Sequence, residues 1–132
     1  MEVMKKIEVV AAVICSGDKI FVTQRGYGEF KDWWEFPGGK IEVGESTLDA
    51  LHREILEELN TKIKIRDFIQ TVEIDYPNFH LIMHCYLCEV TKGNLTLLEH
   101  EAARWISLSE WNTIQWLPAD DAIYERVKEL IG

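Results

Sequence analysis

Cysteine is scarce in this chain, with three residues, and an odd number of them argues against a disulfide framework. Basic residues are outnumbered: 14 Lys and Arg face 23 Asp and Glu, giving a formal net charge of −9. Such a surface lacks the positive face that grips a nucleic acid polymer. If the partner is a phosphate ester, a metal ion must bridge the two negative surfaces. No segment approaches the roughly 20 apolar residues of a membrane span. The opening "MEVMKKIEVVAAVICSG" imitates a secretion signal, but Glu8 interrupts its apolar run and "SGDK" leads straight into "IFVTQR", as a hairpin does. A cytoplasmic protein without membrane attachment is expected. Internal repeats, linkers and low-complexity tracts are also missing.

What is present suits one globular domain over residues 1–132, since 47% of the residues are hydrophobic, enough for a core. Residues 7–15 and 20–24 read as two strands around Ser16, Gly17 and Asp18, and 25–32 as a flexible loop. A short aromatic strand, Trp33 to Phe36, enters "PGGKIEVGES", whose proline and glycines exclude a helix interior. A helix is expected from Ser46, which with Asp49 makes a capping-box-like start, to about Asn60. "KIKIRDFIQTVEIDY" and "HLIMHCYLCEV" alternate around "PNF" as a long hairpin. Short strands follow at Leu95–Leu97 and Ala103–Ile106, then a helix from about Ala119 to Leu130 with Ile123, Val127 and Leu130 on one face. The interleaving predicts an α/β (α+β) fold, a mixed sheet with helices packed on its faces. In "CYLC", Cys85 and Cys88 have a metal-pair spacing, but an odd separation sends them to opposite faces of a strand. His80 and His84 share a face, yet no second ligand pair accompanies them, so a zinc site is not expected.

"LHREILEELNT", residues 51–61, sets three acids among residues suited to a buried helix. Glu54, Glu57 and Glu58 stand at i, i+3 and i+4, so their carboxylates share one face, while Leu48, Leu51, Ile55 and Leu59 form an adjacent apolar one. Like charges at this spacing cost roughly 0.2–0.5 kcal/mol per pair. Acids near a helix C-terminus also oppose its dipole. Arg53 can pair with Glu57 but cannot neutralise three carboxylates. A solvated charged face and a Mg²⁺ site both remain open from the helix alone. Gly38 and Gly39 favour the second reading, because a backbone without side chains can approach a metal or a phosphate, and Glu45 adds a carboxylate before the helix.

"GKIEVGESTLDALHREILEELNT", residues 39–61, resembles the Nudix box, G-x5-E-x7-R-E-U-x-E-E-x-G-U with U aliphatic. Gly39, Glu45, Arg53, Glu54, Ile55, Glu57 and Glu58 fall in register; Asn60 stands in place of glycine and Thr61 in place of an aliphatic residue. Asn tolerates the left-handed cap that glycine supplies. "KKIEVVAAVI", "WEFPGGKIE" and "LPADDA" are similar to MutT-type members, especially the CTP pyrophosphohydrolase and 8-oxo-dGTP diphosphatase branch. The resemblance implies a Nudix fold, a mixed sheet between helices, and Mg²⁺-dependent cleavage of a nucleoside triphosphate into monophosphate and pyrophosphate, with Mn²⁺ as a substitute ion. It implies metal ligands at Glu54, Glu57, Glu58, the Gly38 carbonyl and Glu99, and a general base at Glu54 or, alternatively, Glu99. Arg53 would orient the carboxylates. Arg25 matches a phosphate-binding position, against the plainer reading of an exposed strand-end arginine. Asp120 matches the residue that reads the base, against a place in the first turn of the last helix. Tyr76 and Phe79 lie where the family forms its base pocket, and either can stack on a nucleobase. Trp34, Trp105, Trp111 and Trp116 read as core. The partner is then a small nucleotide, CTP, dCTP or a modified pyrimidine triphosphate, with 8-oxo-dGTP as the alternative. The protein would act as a monomer or homodimer. From other classes come a nucleotide-sensing module with little catalysis and an acidic helix serving a protein contact.

Overall fold

An unbroken apolar run such as "VVAAVIC" suits a strand buried on both faces, where successive side chains all meet a core. The computed structural model, which describes residues 4–98 and 100–132, places this run in β1 (Lys5–Ser16) at the centre of a mixed seven-stranded sheet. β1 turns through Gly17, at φ +60°, into antiparallel β2 (Lys19–Gln24). The second hairpin joins β5 (Lys62–Tyr76) to β6 (Phe79–Lys92), as the alternating runs predict. β1 lies parallel to β6 from Lys5 opposite Phe79 to Ile14 opposite Cys88 and so welds the two hairpins together. The short β3 (Trp34–Glu35) and the later β7 (Ala102–Ser107) pair with β2, and β4 (Gly38–Lys40) pairs with β1.

α1 (Thr47–Leu59) covers one face of the sheet. Its Ala50, Leu51, Ile55 and Leu59 pack on Val10, Ala12 and Ile14 of β1. The opposite face of β1, Ala11, Val13 and Cys15, meets a cluster containing Trp111, Trp116, Ile123 and Val127. Both ends of α1 follow the expected local chemistry. Ser46 Oγ accepts the Asp49 N–H at 3.1 Å. Asn60 takes a left-handed cap, φ 50° and ψ 43°, and donates its N–H to Leu56 O at 3.0 Å. Cys85 and Cys88 do face opposite cores; burial pushes both thiols up, Cys88 to about 12. His80 and His84 are each clamped by acids, His80 between Asp75 and Glu73 and His84 against Glu8.

Four expectations need correction. Leu48, in the first turn of α1, is 46% exposed rather than buried, since Ala50 and Leu51 are the residues of that turn that face the core. Trp105 is 41% exposed, packing edge-on against Phe21 at the sheet surface rather than in the core. Residues 95–97 form no strand, because Leu95 adopts φ 53° and its N–H is captured by Thr61. The last helix is broken. α2 (Pro118–Asp121) begins at its proline, the backbone leaves helical geometry at Ile123, and α3 (Tyr124–Ile131) follows. Asp120 and Asp121 are drawn instead to the Phe36 N–H and the Trp111 indole N–H, both at 2.8 Å, which fixes the short turn. The 25–32 segment forms a loop, as expected, with backbone bonds from Arg25 N to Trp33 O and Asp32 N to Arg25 O, each 2.9 Å.

Candidate active site

Crowded carboxylates need a counter-charge, and on α1 the Arg53 guanidinium supplies it. Its Nε and Nη2 donate to the two oxygens of Glu45 at 2.7 and 2.8 Å, a bidentate fork. Nη1 donates to Glu54 Oε1 at 2.8 Å and Glu57 Oε2 at 3.2 Å, and Nη2 also reaches the Lys40 carbonyl at 2.9 Å. Arg53 thus ties the helix to the loop before it. The hydrogen bond from Arg53, with one from the Glu42 N–H, holds the Glu45 carboxyl down at about 2. The same bond to Glu45 raises Arg53, so the pair is ionised at any working pH. Glu58 turns to the sheet side, 8% exposed, and its Oε2 accepts the Gly38 N–H at 3.1 Å.

The two glycines of β4 are required by packing at this crossing. A Cβ on Gly38 would collide with the Val10 carbonyl of β1, and one on Gly39 with the Glu54 carboxylate. β4 therefore lies close against β1 and leaves Glu54 room over its backbone.

On the other side of Gly38 opens a cavity of about 510 Å³. Gly38, Gly39, Lys40 and Glu58 line it from the helix side, and Tyr76, Phe79 and Asp120 from the other. Tyr76 and Phe79 stack on each other with centroids 5.1 Å apart, and Phe30 meets Tyr76 edge-on. The Tyr76 hydroxyl accepts the Ala119 N–H at 3.1 Å, which fixes the ring beside α2. Asp120 is 4% exposed, and its Oδ1 accepts the Phe36 N–H. Burial, reinforced by the nearby Glu35 charge, raises the Asp120 carboxyl well above its ordinary range, against the opposing pull of the Phe36 N–H and Arg25. Arg25 also lines the cavity but is not a lone strand-end cation. It donates to Glu35 at 2.7 and 3.2 Å, and although burial works to lower its pKa, the bond and charge of Glu35 raise it on balance.

The cavity therefore gathers Arg25, Tyr76, Phe79, Asp120, Gly38 and Glu58, and the neighbouring Arg53 gathers Glu45, Glu54 and Glu57. Glu99 lies outside the described residues. Sequence reasoning passed over Glu35 and His100, both in the cavity wall. An acid inside the aromatic "WEF" run, near a strand-end arginine, was the available signal for Glu35; His100 had none. Among the described residues no three His, Cys, Asp or Glu side chains stand gathered around one point where an ion would sit. The donor types nevertheless fit a hard divalent cation: the carboxylates of Glu54, Glu57 and Glu58 and the backbone carbonyl of Gly38 are all oxygen donors. Glu57, whose side chain is 57% exposed, can turn away from Arg53 without leaving a buried group unpaired.

The NUDIX domain family model matches residues 5–127. The chain is 30% identical over 129 residues to the 8-oxo-dGTP diphosphatase of Escherichia coli (strain K12), covering 96% of this chain and 100% of that protein. It is 34% identical over 123 residues to the CTP pyrophosphohydrolase of the same strain, covering 92% and 91%. The solution structure of the E. coli ORF135 protein superposes with a TM-score of 0.82 at 34% identity, covering 96% of this chain and 91% of that one. The chain belongs to the Nudix family and is a phosphoanhydride hydrolase of that family. No helix among the described residues is long and apolar enough to cross a membrane.

Proposed function

We propose that this protein is a Mg²⁺-dependent nucleoside triphosphate diphosphatase, a single Nudix domain that converts a triphosphate and water into the monophosphate and pyrophosphate. The observation that carries the reading is the cavity itself, where an aromatic pair and a buried carboxyl lie opposite the glutamate helix and its glycine strand. A bound Mg²⁺, with Mn²⁺ as a substitute, would neutralise phosphoryl oxygens and activate the attacking water. Glu54, Glu57 and Glu58 are the side chains that would hold it, with Gly38, and Glu99 is the further acid expected from its loop. Arg53 keeps Glu54 in position through a 2.8 Å bond and fixes Glu45 under the helix. Glu54, whose Oε1 accepts from Arg53, is the preferred general base, and Glu99 the alternative. Arg25, braced by Glu35, offers positive charge to the phosphates.

Asp120 guides the choice of base. Burial raises its carboxyl well above the ordinary range, and in the protonated form it offers one donor and one acceptor edge. That pair complements N3 and the 4-amino group of cytosine, which supports CTP, dCTP or a modified pyrimidine triphosphate. The same pair also complements O6 and N1–H of an oxidised guanine, so 8-oxo-dGTP is the second reading. Either substrate places the enzyme in the cytoplasmic nucleotide pool.

A panel of purified triphosphates with Mg²⁺, read by pyrophosphate release, tests this. The highest kcat/KM is expected for a cytidine triphosphate; a higher value for 8-oxo-dGTP selects the second reading. Nucleotide binding without release from any member would instead make the protein a sensing module. Glu57→Gln should abolish turnover and leave the fold intact; wild-type hydrolysis in that variant would remove Glu57 from the proposed ion site.

A further inference from the structure

The segment between β6 and β7 crosses the end of α1 at very close range. Gly93, at φ +104°, lies where a Cβ would sit 2.7 Å from the Asn60 carbonyl oxygen and about 3 Å from Thr61. From there the segment is fastened to the helix end residue by residue. Leu95 N–H donates to Thr61 Oγ1 at 2.9 Å, Thr96 N–H to Leu59 O at 2.9 Å, and Leu98 N–H to Glu58 O at 3.1 Å. The last carbonyls of a helix have no partners within it, and here the segment provides them. Two residues beyond Leu98, His100 enters the cavity wall, and Glu101 N–H is anchored on Gln24 O of β2 at 3.2 Å. Residues 95–98 are thus tied to the end of the glutamate helix, and Glu101 to the sheet.

Thr61 is the side chain at the root of this arrangement. It is 1% exposed, donates its hydroxyl to Leu59 O at 2.9 Å and accepts from Leu95. The aliphatic residue of the Nudix pattern could do neither. Leu95 also adopts φ 53°, a left-handed conformation that a branched side chain holds only when its surroundings impose it. We propose that Thr61 is a positioning residue: its hydroxyl latches residues 93–98 onto the end of the glutamate helix and so holds His100 at the cavity wall for turnover. This rests on the cavity being the triphosphate site. Without the hydroxyl, the half-buried Leu95 N–H loses its partner, the left-handed turn loses its cause, and the segment moves relative to Glu58.

Thr61→Val keeps the shape and removes the hydroxyl; Thr61→Ser keeps the hydroxyl. Two readouts are taken on the full chain: steady-state pyrophosphate release from CTP with Mg²⁺, and amide hydrogen exchange. For Thr61→Val, kcat is expected to fall about tenfold with little change in KM, as the loss of one buried hydrogen bond would give. Amides of residues 94–98 should exchange at least about tenfold faster, while those of α1 stay protected. Thr61→Ser should restore both. Wild-type kcat in the valine variant, or a loss that serine does not restore, overturns the proposal. If Thr61→Val does not fold, Thr61→Ala removes the same hydroxyl with less bulk and carries the same expectations. The exchange readout needs no substrate: unaltered exchange at 94–98 defeats the latch even if the triphosphate reading stands. Accelerated exchange in a protein that hydrolyses no triphosphate defeats the functional reading instead.

Discussion

Two adjacent glycines of β4 should respond differently to the same methyl group, one chiefly in turnover and the other in stability. In Gly39→Ala the new carbon would overlap Glu54 Oε2 and Cδ and stand 2.7 Å from Oε1, against about 3.5 Å at contact, so the carboxylate must retreat by more than about 1 Å. That retreat breaks its 2.8 Å bond to Arg53. One charge-assisted hydrogen bond is worth about 1.5–3 kcal/mol, and the stiffer unfolded chain returns about 0.4–1 kcal/mol, leaving a net loss of about 1 kcal/mol. The melting temperature should therefore fall by only about 4 °C. Turnover should suffer far more, about a hundredfold, because a shift of an ångström in a reacting group costs that much. In Gly38→Ala the obstruction is backbone, Val10 and Ala11 of β1, which cannot step aside as a glutamate tip can. β4 must lift off β1, at a cost of about 3 kcal/mol or more, and the melting temperature should fall by about 10 °C. Thermal denaturation and pyrophosphate release on both variants decide the matter. A Gly39→Ala enzyme with kcat within twofold of wild type, or a Gly38→Ala protein as stable as wild type, would refute the packing argument.

Asp120→Asn and Glu45→Gln test the site through pH. Burial raises the folded pKa of Asp120 above its ordinary 3.8, so its contribution to stability is complete below that value and lost as pH rises towards the folded pKa. Urea denaturation should show the asparagine variant gaining on wild type as pH rises above about 4; parallel curves would contradict the raised carboxyl pKa. Glu45 is the reverse case: its pKa falls from 4.5 to about 2, so its contribution is present above 4.5 and lost as pH falls through about 2. Melting temperatures of Glu45→Gln should decline less steeply than those of wild type over that window, and an identical acid limb would mean that the Arg53 fork does not stabilise the fold.

Much of this was legible where the signal is local. Ser46 and Asn60 mark the ends of α1 by their own cap chemistry, and the spacing of Glu54, Glu57 and Glu58 places them on one helix. The two long hairpins are legible because alternation and turn residues lie within one stretch of chain. The base side of the cavity was harder, since Phe36 and Asp120 meet across 84 positions and no periodicity relates them. Glu35 was missed for the same reason: its partner Arg25 is brought opposite it only by the turn of the 25–32 loop. The break in the last helix was hidden because Asp120 and Asp121 suit a helical first turn, and only tertiary partners pull them into a separate one. Trp105 is exposed because β7 lies at the sheet edge, and strand order is not written in a strand's own residues.

The most direct trial of the central claim is a crystal structure of the protein with Mg²⁺ and a non-hydrolysable CTP analogue. The ion should bind among Glu54, Glu57 and Glu58, with Glu57 turned away from Arg53 and the base beside Asp120. Glutamates still gathered on Arg53, with the nucleotide bound and no ion between them and its phosphates, would contradict it.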